Sequence, residues 1–324
     1  MNFKKLHSWK KEFFKFFKFL KSKKQLRIKF ILLILLFLIQ PTQNFYSKLV
    51  LKSGRPVYRK IDIDLPEVSL YPVNITGKAP PYFSAQSAVI VDVPSMTVIF
   101  SKNPDTSLLP ASTTKIMTAL VALDHWQVNN VLEVKNVLQV GQTMKLVEGE
   151  KITVENLLYG LLVQSGNDAA YTLADNYPGG FDNFIKKMNE KSQELNLNST
   201  FYLNPAGIEA NGHLTTAHDL AILASYALKN EMIAKIVAIP SITVTDVSFQ
   251  IQHELNNINQ LVGKVPGVKG VKTGWTENAG ECLVSYIERD EKQVLIVVLN
   301  SQDRFVDTTA LINWVFNNFS WEAT

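Results

Sequence analysis

The chain has 324 residues, 46% of them apolar, and a formal net charge of +4. That is enough for one large domain or two modest ones with a sizeable core. Of its 33 Lys/Arg and 29 Asp/Glu, eleven basic residues and one acid fall within 1–29, so residues 30–324 hold 22 against 28 and carry −6. The basicity belongs to the tail, and the body has no electrostatic footprint for nucleic acid.

In chain order, residues 1–29 read as a basic tail and 30–46 as a signal-anchor segment. Phe30-Ile-Leu-Leu-Ile-Leu-Leu-Phe-Leu-Ile39 is an unbroken apolar run, near the ~7–15 residues of a secretory segment and below the ~20 of a full span. Gln40-Pro-Thr-Gln-Asn-Phe-Tyr46 offers no small-x-small cleavage site, which favours an uncleaved anchor. Lys29 and Lys48 can lengthen the effective span by snorkelling. The lysines before the run place the tail in the cytoplasm and everything after residue 46 outside. Phe13-Phe-Lys-Phe-Phe-Lys-Phe-Leu-Lys21 also suits an anionic inner leaflet. Cys282 is the only cysteine, so no intramolecular disulfide exists.

Residues 47–83 carry Pro56, Pro66, Pro72, Pro80 and Pro81 and read as an extended linker, with a reach on the order of 100 Å at ~3.1 Å per residue. The main globular domain is expected over 84–324. Ala88-Val-Ile-Val-Asp92 and Thr97-Val-Ile-Phe100 predict two strands around a turn. Apolar positions three and four apart predict helices at 113–126, 154–163, 168–176, 181–195 and 215–229. Segments 242–254, 268–274, 280–288 and 293–300 look β-like, and 306–318 reads as a closing helix. Strands at both ends of a helical middle indicate an α+β fold: an antiparallel sheet flanked by helices, with an inserted helical subdomain.

Three short patterns carry chemistry. In Pro110-Ala-Ser-Thr-Thr-Lys115, Ser112 stands where a helix begins and Lys115 lies three residues on, so both project from one face. A lysine of depressed pKa can take the proton of a serine hydroxyl, and a helix N-terminus favours the alkoxide. Alone, Ser-x-x-Lys is more simply a helix cap beside an exposed lysine, and Ser8-Trp-Lys-Lys11 matches by accident. Ser165 and Asn167, in Gly160-Leu-Leu-Val-Gln-Ser-Gly-Asn-Asp-Ala-Ala170, fall on a predicted tight turn between two helices. They offer a hydroxyl for proton relay and an amide for a carbonyl. Lys272-Thr273-Gly274 falls on a predicted strand. The lysine and hydroxyl suit a carboxylate, and the glycine lets a substrate backbone approach. The bland alternative is an edge strand with a protective lysine.

Ser-x-x-Lys, Ser-x-Asn and Lys-Thr-Gly in that order are the combination of the penicillin-interacting serine enzymes. With Asn204-Pro-Ala-Gly207 and Lys272-Thr-Gly-Trp-Thr-Glu-Asn-Ala-Gly280, the chain closely resembles the D-alanyl-D-alanine carboxypeptidase family of low-molecular-mass penicillin-binding proteins over about residues 84–318. The resemblance implies a β-lactamase/D,D-peptidase-like fold and removal of D-alanine from peptidoglycan stem peptides, in cell-wall biogenesis and cell shape. It also implies covalent inhibition by β-lactams. Catalytic roles then fall to Ser112 as nucleophile, Lys115 as base and Ser165 as proton relay. Asn167 would orient the acyl carbonyl, and Lys272, Thr273 and Gly274 the terminal carboxylate. The backbone N–H groups of Ser112 and Trp275 would form the oxyanion hole, and Arg304 would assist the carboxylate.

The sequence departs from the family at His218, where arginine is usual, and in ending after the closing helix, which leaves anchoring to the N-terminal segment. No cofactor or metal is implied: His213-Leu-Thr-Thr-Ala-His218-Asp219 gathers potential ligands, but helical surface histidines are the simpler reading, and His125 and His253 have no ligand-spaced partner. A β-lactamase needs a group that activates the deacylating water, and Glu209 sits in a carboxypeptidase-like context. A D,D-endopeptidase would use the same residues, and a non-catalytic wall-binding protein would not need the complete set.

Overall fold

The computed structural model describes residues 23–38 and 70–323, and the chain divides into two units, Met1–Pro66 and Glu67–Thr324. In the first unit, helix α1 (Lys23–Leu38) has 16 residues. At ~1.5 Å per residue it is about 24 Å long, short of the ~30 Å hydrocarbon layer. No helix among the described residues is long and apolar enough to cross a membrane. Residues 1–22 of the expected basic tail, 39–46 of the expected anchor and 47–69 of the expected linker lie outside the described residues.

The second unit begins with β1 (Leu70–Asn74), β2 (Ser87–Asp92) and β3 (Val98–Lys102). A short 3-10 turn (Ala111–Thr114) leads into α2 (Lys115–His125), followed by β4 (Val131–Glu133), β5 (Lys151–Thr153), α3 (Val154–Leu162), α4 (Asn167–Asn176), α5 (Gly180–Glu194), α6 (Ala217–Ala227) and α7 (Glu231–Val237). Then come β6 (Ser241–Thr245), β7 (Gln252–Asn256), β8 (Val268–Thr276), β9 (Gly280–Arg289), β10 (Lys292–Ser301), α8 (Arg304–Asn318) and β11 (Phe319–Ala323).

The central sheet has the order β3-β2-β10-β9-β8, and every neighbouring pair is antiparallel. Residues 88–91 of β2 and 294–299 of β10 are wholly apolar because both faces are buried there, and alternation divides their side chains between two cores. Val89, Val91, Leu295, Val297 and Leu299 face a core shared with the helical insert. Ala88, Ile90, Val294, Ile296 and Val298 face a second core closed by Leu311, Ile312 and Val315 of α8. The insert between β3 and β8 is built around α2, whose residues Lys115 to Ala122 are all buried, as expected of a helix apolar on all sides. Side-chain caps set the starts of its neighbours: Thr153 for α3, Thr216 for α6 and Asn230 for α7.

One expectation needs correction. The extended linker was expected to reach residue 83, but residues 70–83 belong to the body. β1 pairs with β11 from Leu70↔Ala323 to Asn74↔Phe319, Trp314 Nε1 donates to the Lys78 carbonyl at 3.0 Å, and Phe83 is buried edge-on to Phe100. Prolines forbid a helix here, yet a two-stranded ribbon tolerates Pro72 because each of its strands is an edge. The β-like stretch 242–254 forms the hairpin β6/β7, turned by Asp246, whose carboxylate accepts N–H bonds from Ser248, Gln250 and Ile251.

Candidate active site

The edge strand β8 and the helical insert enclose a cleft of about 710 Å³, and Ser112, Ser165, Asn167, Thr273, Gly274, Trp275 and Arg304 all line it. Lys115 and Lys272 lie beneath its floor, fully buried or nearly so. The residues expected from three separate sequence patterns are thereby brought together.

The serine arrives through a constrained turn. Ala111 has φ +46°, an uncommon conformation for a residue with a Cβ, and the 3-10 turn that follows presents Ser112 one turn ahead of Lys115. Two glycines flank this turn. A Cβ on Gly207 would lie 1.7 Å from the Ala111 carbonyl oxygen, and one on Gly274 would lie 3.1 Å from the Ser112 nitrogen. The strand and the 204–208 loop therefore press on the serine from two sides, as only residues without side chains allow. Ser165 also has positive φ, +62°, in the bend between α3 and α4.

Lys115 Nζ donates to Ser112 Oγ at 2.9 Å, Asn167 Oδ1 at 2.7 Å and the Ala206 carbonyl at 2.7 Å. Burial pushes the pKa of this lysine well below its usual range and the charge of Lys272 pushes it further, while Asp168 opposes them. In the neutral amine, the two hydrogens satisfy Asn167 and Ala206, whose oxygens only accept, and the lone pair faces the Ser112 hydroxyl. Lys272 Nζ donates to Ser165 Oγ at 2.9 Å and to the Thr273 carbonyl at 3.1 Å. Burial, then the Arg304 charge, lowers its pKa to about 7. Its burial rules out the reading of a protective surface lysine. Arg304, at the start of α8, donates Nη1 to the Gly274 carbonyl at 2.7 Å, and its buried Nε has no hydrogen-bond partner among the described residues. Trp275 stands 61% exposed at the mouth.

Asn167 is more heavily used than its sequence suggested: besides accepting from Lys115, its Nδ2 donates to the Val140 carbonyl at 2.7 Å. Sequence reasoning missed Asp168, although it directly follows Asn167. Its carboxylate accepts from the N–H groups of Met144 and Leu146 at 3.0 and 3.1 Å, and so holds one wall of the cleft. It also missed the Ala206 carbonyl, because backbone acceptors leave no mark in side-chain patterns. Asn204 shapes that loop by accepting the N–H groups of Ala206, Gly207 and Ile208.

The histidines do other work. His213 is buried, with Nδ1 facing the donors Leu203 N and Asn204 Nδ2 and Nε2 against Thr114 Oγ1 at 3.0 Å. Burial lowers its pKa to about 4, so the neutral ring carries its hydrogen on Nε2 and donates to Thr114. His218 is exposed and faces Asp105 at 3.3 Å. His253 is buried on β7 against Glu150 at 2.7 Å. Glu209 lines the cleft but accepts from Asn278 N and Nδ2 at 2.8 and 2.6 Å. Hydrogen bonds from Thr276 first, then Asn278, keep its carboxyl below the usual pKa, which suits a turn clamp better than a general base.

A serine on a strained turn, a dehydrated lysine against its hydroxyl and a second cationic pocket across the cleft define a serine acyl-transfer enzyme of the D,D-peptidase kind. The D-alanyl-D-alanine carboxypeptidase family model matches residues 74–303, and the chain belongs to that family. It is 34% identical over 248 residues to the D-alanyl-D-alanine carboxypeptidase DacF of Bacillus subtilis, across 72% of this chain and 63% of that protein. It is 32% identical to a D-alanyl-D-alanine endopeptidase of Escherichia coli, across 74% of this chain and 80% of that protein. The crystal structure of the Streptomyces K15 DD-transpeptidase superposes with a TM-score of 0.70 at 32% identity, covering 74% of this chain and all of that one. The chain thus spans slightly under two thirds of DacF and the whole of the K15 structure.

Proposed function

We propose that this chain is a serine D-alanyl-D-alanine carboxypeptidase that removes the terminal D-alanine of peptidoglycan stem peptides through an acyl-enzyme. The observation that carries the reading is Lys115 Nζ, buried and 2.9 Å from Ser112 Oγ, in a cleft also lined by Thr273 and Arg304 with Lys272 buried beneath it. Ser112 Oγ attacks the penultimate D-alanine carbonyl as its proton passes to Lys115. The N–H groups of Ser112 and Trp275 hold the oxyanion. Ser165 hands its hydroxyl proton to the departing amine and takes one in its place from Lys272, whose Nζ donates to its Oγ. Water then attacks the ester and gives a proton back to Lys272, while Lys115 returns its proton to Ser112 and frees it. Asn167 orients the acyl carbonyl with the second hydrogen of Nδ2. A β-lactam, whose strained amide and carboxylate resemble the substrate terminus, acylates Ser112 and leaves no separate amine to depart.

The exported body would be tethered through residues 30–46 as a signal-anchor, with 1–29 in the cytoplasm. The support is the charge split and the apolar run, with the catalytic domain facing the wall and the activity serving wall maturation and cell shape. Labelled penicillin tests the reading: a mass adduct on the Ser112 peptide is expected, and an equally labelled Ser112→Ala variant would refute it. A D,D-endopeptidase is the second reading, favoured by the Escherichia coli relative. Release of D-alanine from a pentapeptide, compared with cleavage of a cross-linked dimer, separates the two. A protein that retains the fold but neither labels nor cleaves would instead be a non-catalytic wall binder.

A further inference from the structure

One residue of the cleft wall is held from both sides. Met144 gives its N–H to Asp168 at 3.0 Å and its carbonyl to His253 Nδ1 at 2.8 Å. Because that carbonyl only accepts, Nδ1 carries a proton. His253 Nε2 meets Glu150 Oε1 at 2.7 Å, and Glu150 Oε2 accepts the Val147 N–H at 3.0 Å. The two side chains are 2% and 0% exposed. A carboxylate facing Nε2 would also only accept, an arrangement that favours an imidazolium inside the fold. Burial works against that charge, but the Glu150 hydrogen bond and charge, the Met144 carbonyl and Asp168 outweigh it and raise the pKa of the ring. The charged groups facing the ring are Glu150, ahead of β5, and Asp168, on α4.

A buried ion pair is weak support for stability and better suited to fixing an arrangement. What this one fixes is Val140–Leu146. Val140, Gly141 and Gln142 line the cleft, the Val140 carbonyl accepts from Asn167 Nδ2, and the Gln142 carbonyl accepts from Asn167 N at 2.7 Å.

We propose that His253, clamped between Glu150 and the Met144 carbonyl, is a positioning residue for acyl transfer that fixes the 140–146 wall against Asn167 and Asp168. The inference rests on the acyl-transfer reading above. It has an electrostatic consequence: Asp168 draws Lys115 towards its charged form, and a cation facing Asp168 from the other side weakens that pull. Without His253 the wall loosens, water reaches Lys115, and the counter-charge is lost. All three changes favour the protonated lysine.

The test measures the rate of Ser112 acylation by a fluorescent penicillin in the full chain, wild type against His253→Gln, between about pH 5 and 8. The acid limb should move up by about one unit, so the variant loses about tenfold in rate on that limb. A Glu150→Gln variant, whose amide can still bond a neutral ring, should shift the limb in the same direction. In the wild type, ¹⁵N spectra of His253 should show both ring nitrogens protonated near neutrality, a readout that needs no variant to fold. A folded His253→Gln protein with a wild-type profile, a variant that only melts earlier, or a neutral His253 ring would each overturn the proposal. A wild type that takes no label at Ser112 would sink the functional reading instead.

Discussion

In the proposed mechanism Lys115 has to be an amine when Ser112 attacks, whereas Lys272 has to be an ammonium when the substrate carboxylate arrives. The charge of Lys272 helps depress Lys115, and the proposed mechanism needs Lys115 to lose its proton before Lys272 does. The active form therefore lies between the two pKa values. With rising pH, kcat/KM should climb as Lys115 deprotonates and fall as Lys272 passes about 7, a bell read from initial rates on a pentapeptide. In the substrate complex the bound carboxylate favours the lysine cation, so the alkaline limb of kcat should lie higher than that of kcat/KM. A Lys272→Arg enzyme should lose the alkaline limb, since a guanidinium stays charged up to about pH 12, at the expense of rate, because the fork cannot repeat the single contact with Ser165. Replacing Lys115 by alanine removes the base, and the acylation rate should drop by about 10²–10⁴.

Among elements, the junction of α8 with the start of the body is the clearest case of one side chain joining distant segments. Asp307, in the first turn of α8, accepts from Ser84 N at 2.9 Å and Oγ at 2.7 Å, Ala85 N at 2.9 Å and Ser301 Oγ at 2.6 Å. Burial would raise its pKa, but the hydrogen bonds from Ser301, Ser84 and Ala85 hold it below the usual value. A carboxylate depressed in the folded state stabilises above its unfolded pKa of about 3.9, and this contribution fades as pH falls through the folded value. An Asp307→Ala variant, which orphans these donors, should lose about 1–3 kcal/mol at neutral pH and show a flatter acid limb in urea-midpoint measurements. The sequence revealed the start of α8 only to within two residues. The Asp303 cap lies just before it, but nothing local announces that Asp307 reaches residues 84 and 85. The strongly periodic helices and the apolar strands β2 and β10 were legible because their faces are dictated by burial. Short α7 and the ribbons β4/β5 and β1/β11 were not, because three to seven residues carry too little periodicity and their partners are distant in sequence. The site followed the same rule: Ser112, Lys115, Ser165, Asn167 and Lys272 belong to dense motifs, while Asp168, Ala206 and His253 act through backbone contacts that only the fold creates.

Across the whole molecule, the β1/β11 ribbon makes the two ends of the body structural neighbours. Chain leaving the proposed anchor enters the fold at β1 rather than at Ser84, and it is secured there by Trp314 Nε1 on the Lys78 carbonyl and by Phe83. The Phe83 ring is edge-on to Phe100 and has Lys102 Nζ 4.6 Å from its centroid. None of these contacts touches the cleft, so removing them tests stability apart from chemistry. A chain starting at Glu67 should melt like the full protein and acylate at the same rate. A chain starting at Ser84 loses a buried phenylalanine, at about 3–5 kcal/mol, together with a strand pairing. At 2–4 °C per kcal/mol for a domain of this size, its Tm should fall by roughly 10 °C or more. Below that melting temperature, penicillin should acylate Ser112 in the shorter chain at a near-normal rate, because β2 remains held by β10 and β3 and the cleft lies beyond them. Equal melting of the two truncations would show that the body does begin at Ser84, with residues 70–83 only resting on it. A loss of acylation in the folded shorter chain would show that the ribbon supports the cleft as well as the sheet.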